Sequence, residues 1–325
     1  MQLVAELVYK VRLPSASSRC YDKVAVGLRH ETVNSMKKIA YLCIVGVILA
    51  GCHSEIASTT VEQGPAPELG GLSDDFDASS ALSAWKHVDV TEGWNADQLQ
   101  TFKADAGWLT MIPYTSTWYM DYRGPLVYKE VTGDFIVTTK LQTTNRAGND
   151  APHSLFSLGG LMIRTPRTDN ARTWQGGREN YVFLSLGCAD QSGNYQFEVK
   201  TTSGGQSDLE KIPAAGGEAY LQIAKIGPNI VCLHKQHGEW MVHKRYQRPD
   251  MPDSLQVGMT VYTDYPSASK LSAQQHNGTV IKTGNPDLIA KFDYVHFRRP
   301  KVPKGMNVAA ASDGEILRIL GDNGI

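Results

Sequence analysis

Residues 135–141 read Phe-Ile-Val-Thr-Thr-Lys-Leu, and residues 195–200 read Tyr-Gln-Phe-Glu-Val-Lys. In both, apolar and polar side chains tend to change places from one position to the next. Successive side chains of a strand point to opposite faces, so this period of two describes strands with one face in a core and one facing water or a ligand. Working outward, the same signal extends over 135–142 and 195–202. It recurs at 108–112, 160–164, 181–187, 220–226, 230–234, 240–246, 255–263 and 290–297. These stretches are short, rich in β-branched and aromatic residues, and bounded by Gly, Pro, Asn or Asp. Gly193-Asn194, Gly227-Pro228-Asn229 and His237-Gly238 sit between them as tight turns. Many short strands at this spacing predict an all-β chain folded as a two-sheet antiparallel sandwich. Helical spacing is clear only near the end, where Ile316, Leu317, Ile319 and Leu320 follow Ser312-Asp313-Gly314-Glu315.

The other end of the chain carries an address. Residues 36–52 read Met-Lys-Lys-Ile-Ala-Tyr-Leu-Cys-Ile-Val-Gly-Val-Ile-Leu-Ala-Gly-Cys. Two lysines precede an uncharged apolar run of secretion-signal length, too short for an ordinary transmembrane helix. Leu49-Ala50-Gly51-Cys52 matches the lipobox of bacterial lipoproteins, which makes Cys52 the expected lipidation site. Residues 1–35 then read as upstream sequence from a mis-called start and 36–51 as a signal peptide. Residues 52–72 form a lipidated cysteine with a flexible Pro/Gly-punctuated tether. The folded domain is expected at 73–300 and a tail with a short helix at 301–325. The expected location is the cell envelope, lipid-anchored, with His53 after the cysteine favouring the outer membrane in a Gram-negative host.

A formal net charge of −1 argues against a nucleic-acid partner and against a polybasic membrane module, leaving the lipid anchor as the membrane contact. Cys188 and Cys232 fall on predicted strands that should not be neighbours, so two buried free thiols are expected. No cysteine–histidine spacing typical of zinc occurs. His234, His237 and His243 gather around a predicted hairpin and read as surface histidines.

An ordered set of landmarks adds a resemblance. Asp74-Asp75-Phe76-Asp77, Trp85, Gly107-Trp108-Leu109, Val131-Thr132-Gly133-Asp134-Phe135 and Gly160-Leu161-Met162-Ile163-Arg164 come first. Asn180-Tyr181-Val182, Gly238-Glu239-Trp240, Leu255-Gln256-Val257-Gly258-Met259 and Phe292-Asp293-Tyr294-Val295 follow. The succession, over 73–300, resembles the bacterial concanavalin A-like lectin/glucanase superfamily in its enolase-regulator-like branch. The resemblance implies a laminin-G-like jelly roll and a carbohydrate-related role, and the fold hosts lectins, glycosidases, lyases and adhesion modules alike. Within it, Trp85, Trp108 and Trp240 are expected in the core, Phe76 and Phe292 where first and last strands meet, and Gly133 and Gly258 at turns and strand entries.

A laminarinase-type hydrolase of this fold would carry Glu-x-Asp-x-Glu on one strand, with its two catalytic carboxyls about 5 Å apart. That motif is absent. Glu198 remains a candidate for a hydrolase or lyase that uses acids on the concave face. Sugar binding has more support, because aromatic faces cover sugar C–H surfaces while a few polar groups fix orientation. Trp118, Tyr119, Tyr122 and Arg123 supply that mix, as do Arg164 and Trp174 among Arg167, Arg172 and Arg178, and Tyr262, Asp264 and Tyr265 at a strand end. Many relatives hold a structural calcium near the joined ends of the fold, which would implicate Asp75, Asp77 and Asp293; no other cofactor is indicated. The leading expectation is therefore a non-catalytic polysaccharide-binding module, with an enzyme and a structural or protein-docking module as rivals.

Overall fold

The computed structural model describes residues 68–321; the signal segment, Cys52 and the first part of the tether lie outside the described residues. The strands are β1 (Lys86–His87), β2 (Leu99–Asp105), β3 (Trp108–Pro113), β4 (Leu126–Thr132), β5 (Phe135–Thr144), β6 (Ser157–Arg164) and β7 (Tyr181–Cys188). They continue with β8 (Gln196–Ser203), β9 (Gln206–Pro213), β10 (Glu218–Ile226), β11 (Asn229–Gln236), β12 (Glu239–Gln247), β13 (Ser254–Tyr262) and β14 (Ile289–Arg298). Among the described residues they form two seven-stranded sheets, ordered β1-β4-β13-β6-β7-β8-β9 and β12-β11-β10-β5-β14-β3-β2. The strand pairings are antiparallel. The fold is an all-β, two-sheet jelly-roll sandwich, and each of the ten predicted strands falls within or across one observed strand.

Alternation builds the core between the sheets. Val127 and Val131 of β4, Leu161 and Ile163 of β6, Leu184 of β7 and Phe197 of β8 face Val137 and Leu141 of β5, Leu221 and Ile223 of β10 and Phe292 of β14. Each fully buried side chain of this kind contributes roughly 1.5–3 kcal/mol. Phe76 and Trp85 join that cluster, and Asp74 bridges to Val295, so the opening of the folded domain meets its last strand as expected. Trp240 is buried too, while Trp108 is half-buried with the Lys140 ammonium 5.3 Å from its ring centre.

Two expectations need correction. Gly133 occupies a turn at φ +79°, but Gly258 lies in the middle of β13 rather than at a strand entry. A Cβ there would come within 2.0 Å of the Val127 carbonyl oxygen; Gly160 of β6 has the same relation to Leu184. Glycine is needed because the neighbouring backbone is too close for a side chain. His234 and His243 are not surface histidines. Across the β11–β12 pair their Nδ1 atoms are 3.0 Å apart, and the His234 ring lies 4.3 Å from that of Phe197. Burial, then the neighbouring His234, push the His243 imidazole down to about 4.

A short helix, α1 (Val88–Thr91), follows β1, and helix α4 (Asp313–Leu320) forms where the spacing predicts it. Ser312 and Glu315 close a capping box, and Ile316 and Leu320 pack on Ile136, Ala224, Val231, Leu233 and Trp240, on the outer face of the second sheet. Cys188 ends β7 and Cys232 sits in β11 of the other sheet; both thiols are buried and free. Burial raises the Cys188 thiol to about 11, so it stays protonated and unreactive near neutrality.

Candidate functional site: an aromatic-walled pocket on the outer face of the first sheet

The site lies on the face of the first sheet turned away from the second. Period two puts Leu158 and Met162 of β6, Tyr181 and Phe183 of β7, Tyr128 of β4 and Tyr262 of β13 on this face, where they form a second apolar cluster. That cluster is closed from above by the chain itself. Segment 114–125 lays Trp118 into it, fully buried, with the indole ring 5.3 Å from Tyr181 and its Nε1 donating to the Pro125 carbonyl at 3.1 Å. Segment 263–288 lies against 114–125 and carries α2 (Tyr265–Ala268) and α3 (Ala273–Asn277). Ser116 bridges to Thr263, the Thr117 N–H donates to His276 Nε2 at 3.1 Å, and Asn277 accepts from the Arg123 N–H at 2.8 Å.

What remains open is a cavity of about 200 Å³ lined by Thr117, Tyr119, Phe156, Lys200, Leu209, Lys211 and Tyr265. Three aromatic rings form its wall: Tyr265 meets Tyr119 edge-on at 5.9 Å and Phe156 at 5.5 Å. Its floor is charged. Lys200 Nζ donates to the Trp118 carbonyl at 2.7 Å and to Tyr262 Oη at 3.0 Å, and pairs with Glu198 Oε1 at 2.8 Å. Tyr262 in turn donates to Glu198 Oε1 at 2.9 Å, while Glu198 Oε2 is buried with no hydrogen-bond partner among the described residues. Burial lowers the Lys200 ammonium's pKa against the pull of Glu198, and burial beside Glu198 raises the Tyr262 phenol well above its usual range. No lining residue carries a carboxylate.

The sequence candidates divide sharply. Tyr119 and Tyr265 line the cavity together; Tyr262 and Glu198 lie beneath it, bonded to Lys200, and Trp118 does not line it but packs in the buried cluster as a core ring, not an exposed platform. Tyr122 turns its hydroxyl to the Leu271 carbonyl at 2.8 Å. Asp264 is buried, at φ 62°, accepting from Asn285 N at 2.7 Å and from Thr115 Oγ1 at 3.1 Å while capping α2. It fastens two segments together.

The arginines expected to surround Trp174 do not form a ligand grip. Arg164 is fully buried and forked onto Glu179 at 2.8 and 2.9 Å, onto Glu92 at 2.5 Å and onto Gln256 at 2.6 Å. Arg167 adds a bond to Glu179 at 2.9 Å and pairs with Asp169. Burial works against the Glu179 carboxylate, but Arg164 and Arg167 outweigh it and hold its pKa below the usual range. Arg123 stacks 4.7 Å from the centre of the Trp94 ring, and burial lowers its pKa to about 10. Arg172 and Arg178 are exposed, and Trp174 packs edge-on against Trp94 at 6.1 Å. A buried ion network therefore occupies the ground where sugar-binding arginines were expected. Its acidic members, Glu92 and Glu179, were not singled out in the sequence.

The structure does not gather Asp75, Asp77 and Asp293. Asp75 pairs with His296 at 2.6 Å and Asp293 lies 4.0 Å from Lys140. Among the described residues, the set of three whose ligand atoms fall within 4.8 Å of one another is His87, Asp89 and Asp97. Burial, and then Asp97, raise the Asp89 carboxyl's pKa.

The site thus belongs to a β-sandwich whose first sheet has a covered outer face, with a small aromatic-walled pocket left at one end of that cover. Neither a protein-family model nor a curated protein matches the chain. Solved structures similar to it include a functionally unknown protein from Saccharomyces cerevisiae, at 14% identity and TM-score 0.46 over 68% of this chain and 99% of that one. A xylan β-1,4-xylosidase from Bacillus halodurans is similar at 17% identity and TM-score 0.47, over 73% of this chain and 40% of the enzyme's. A legume lectin-like domain from Entamoeba histolytica is similar at 8% identity and TM-score 0.41, over 68% and 92%.

Proposed function

We propose that this chain is a non-catalytic glycan-binding protein held on the cell envelope by lipid at Cys52, and that its binding site is the pocket walled by Tyr119, Phe156 and Tyr265. The observation that carries the reading is the composition of that pocket. Aromatic surface suits sugar C–H faces, and Thr117 with Lys211 adds polar groups to its lining. The lining has no carboxylate, whereas hydrolysis by a carboxylate pair needs two with access to the glycosidic bond. The test is a glycan array followed by titration calorimetry. Binding that drops about 3–10-fold in Tyr265→Ala, the worth of one aromatic contact of roughly 0.5–1.5 kcal/mol, supports the reading. Absence of binding across the array refutes it.

One observation favours a second reading. Glu198 Oε2 has no partner, so a bound substrate that loosened the floor would meet a carboxylate oxygen without a bond to give up. Release of reducing ends or unsaturated products from a polysaccharide panel, lost in Glu198→Gln, would establish an enzyme. The envelope address is checked separately: radiolabelled palmitate should enter the wild-type chain and not Cys52→Ala.

A further inference from the structure

We infer, resting on the glycan-binding reading above, that the pocket receives the end of a glycan chain and not an internal stretch. The reason is what covers the rest of the face. A polysaccharide running across a sandwich needs an open trough over several strands. Here that ground is filled by Trp118, Tyr128, Met162, Tyr181, Phe183 and Tyr262, each buried.

The cover is fastened at intervals across the sheet. Thr260 of β13 donates to the Pro125 carbonyl at 2.6 Å, Lys200 of β8 donates to the Trp118 carbonyl at 2.7 Å, and the Met120 N–H donates to Ser207 Oγ of β9 at 2.7 Å. Segment 114–125 therefore crosses from β13 to β9 along the path a polymer would take. A second layer holds it down: Tyr122 is bonded to Leu271, and Asn277 Nδ2 donates to the Asp121 carbonyl at 3.0 Å.

At the β8–β9 end the cover leaves a cavity of about 200 Å³, below the roughly 300–1,000 Å³ of sites for drug-sized ligands. A ring-sized group fits such a space, and Tyr119, Phe156 and Tyr265 stand around it on one side. The floor makes no demand on the ligand's charge. All three protons of Lys200 are already directed, to Trp118, Tyr262 and Glu198. Selection then falls to ring shape, apolar faces and the hydrogen bonds offered by Thr117 and Lys211.

The experiment uses the detergent-solubilised full chain and oligosaccharide ladders, monomer to hexamer, of xylan, laminarin and alginate, with each parent polymer. For any ladder that binds, the expected dissociation constant per chain changes less than about 3-fold from trimer to hexamer. Partial scission of the parent polymer should raise its binding capacity in proportion to the number of ends. Leu209→Trp, on the half-exposed edge strand β9, plugs the cavity and should weaken binding of every length at least 10-fold while circular dichroism stays native. Affinity that keeps rising 10-fold or more with added sugars, or binding left intact in a folded Leu209→Trp, overturns end recognition and leaves glycan binding standing. No binding to any ladder, with Tyr265→Ala indistinguishable from wild type, overturns both.

Discussion

Arg164 shows how one residue's role depends on what its strand buries. Read in sequence, it opened a loop with four arginines and a tryptophan. In the structure it ends β6, a strand buried at every position, and its guanidinium is shared between two buried carboxylates. Removing one partner of such a network strands the others, so Arg164→Ala should cost about 3–5 kcal/mol, read from urea denaturation. Trp118→Ala should cost a similar amount by emptying the cluster under segment 114–125. Tyr265→Ala, at a half-exposed wall position, should change stability by less than about 1 kcal/mol. That contrast separates the packed aromatic from the pocket-facing one, a distinction the sequence could not make because both sit among polar residues outside the predicted strands. Tyr119 and Tyr265 were legible as candidates. Phe156, Thr117, Leu209 and Lys211 were not, since they come from three separate places in the chain, the last two from β9. Lys200 left a trace: on an alternating strand it must share a face with Glu198.

Among the elements, alternation found ten of the fourteen described strands and missed β1, β2, β4 and β9. In β4, Leu126, Val127 and Tyr128 are all buried, because both faces are covered over the strand's first half, so alternation shows only from Lys129 onward. Strand β9, Gln-Ser-Asp-Leu-Glu-Lys-Ile-Pro, is a partly exposed edge with no β-branched run, so propensity is silent there. The glycines in central strands carry their own prediction. Gly258→Ala should destabilise the sandwich by at least about 2 kcal/mol, measured by thermal or urea unfolding, because the added Cβ meets backbone on β4. Helix α3 makes the cover over the first sheet sensitive to acid. His276 is buried, with burial and then Arg123's charge opposing protonation and Asn277 favouring it, for a net pKa of about 4. Its Nε2 accepts the Thr117 N–H, and the Tyr122 ring lies 5.2 Å away. An unfolded histidine titrates near 6.5, so stability is full above that pH and is lost as pH falls from 6.5 towards 4, by about 3 kcal/mol. His276→Gln should flatten that part of the stability–pH curve.

At the scale of the whole molecule, the sandwich carries a cover on each outer face: segments 114–125 and 263–288 on one, α4 and the residues before it on the other. Ending the chain at residue 300 should expose Ile136, Val231, Leu233 and Trp240 and lower the thermal midpoint by several degrees, with aggregation above it. With Cys188 and Cys232 free on separate sheets, adding reductant should leave that midpoint unchanged.

The strand order also sets a timetable. Strand β13 lies between β4 and β6, and β14 between β3 and β5. Each sheet is thus held open at its middle until residues 254–298 arrive to fill the gap. A chain emerging N-terminus first has nothing complete to fold until most of it has emerged, and pairing across such long separations is slow. Until then β3, β4, β5 and β6 each present an unpaired edge to any neighbour, so the growing chain is open to wrong pairing for longer than the finished one.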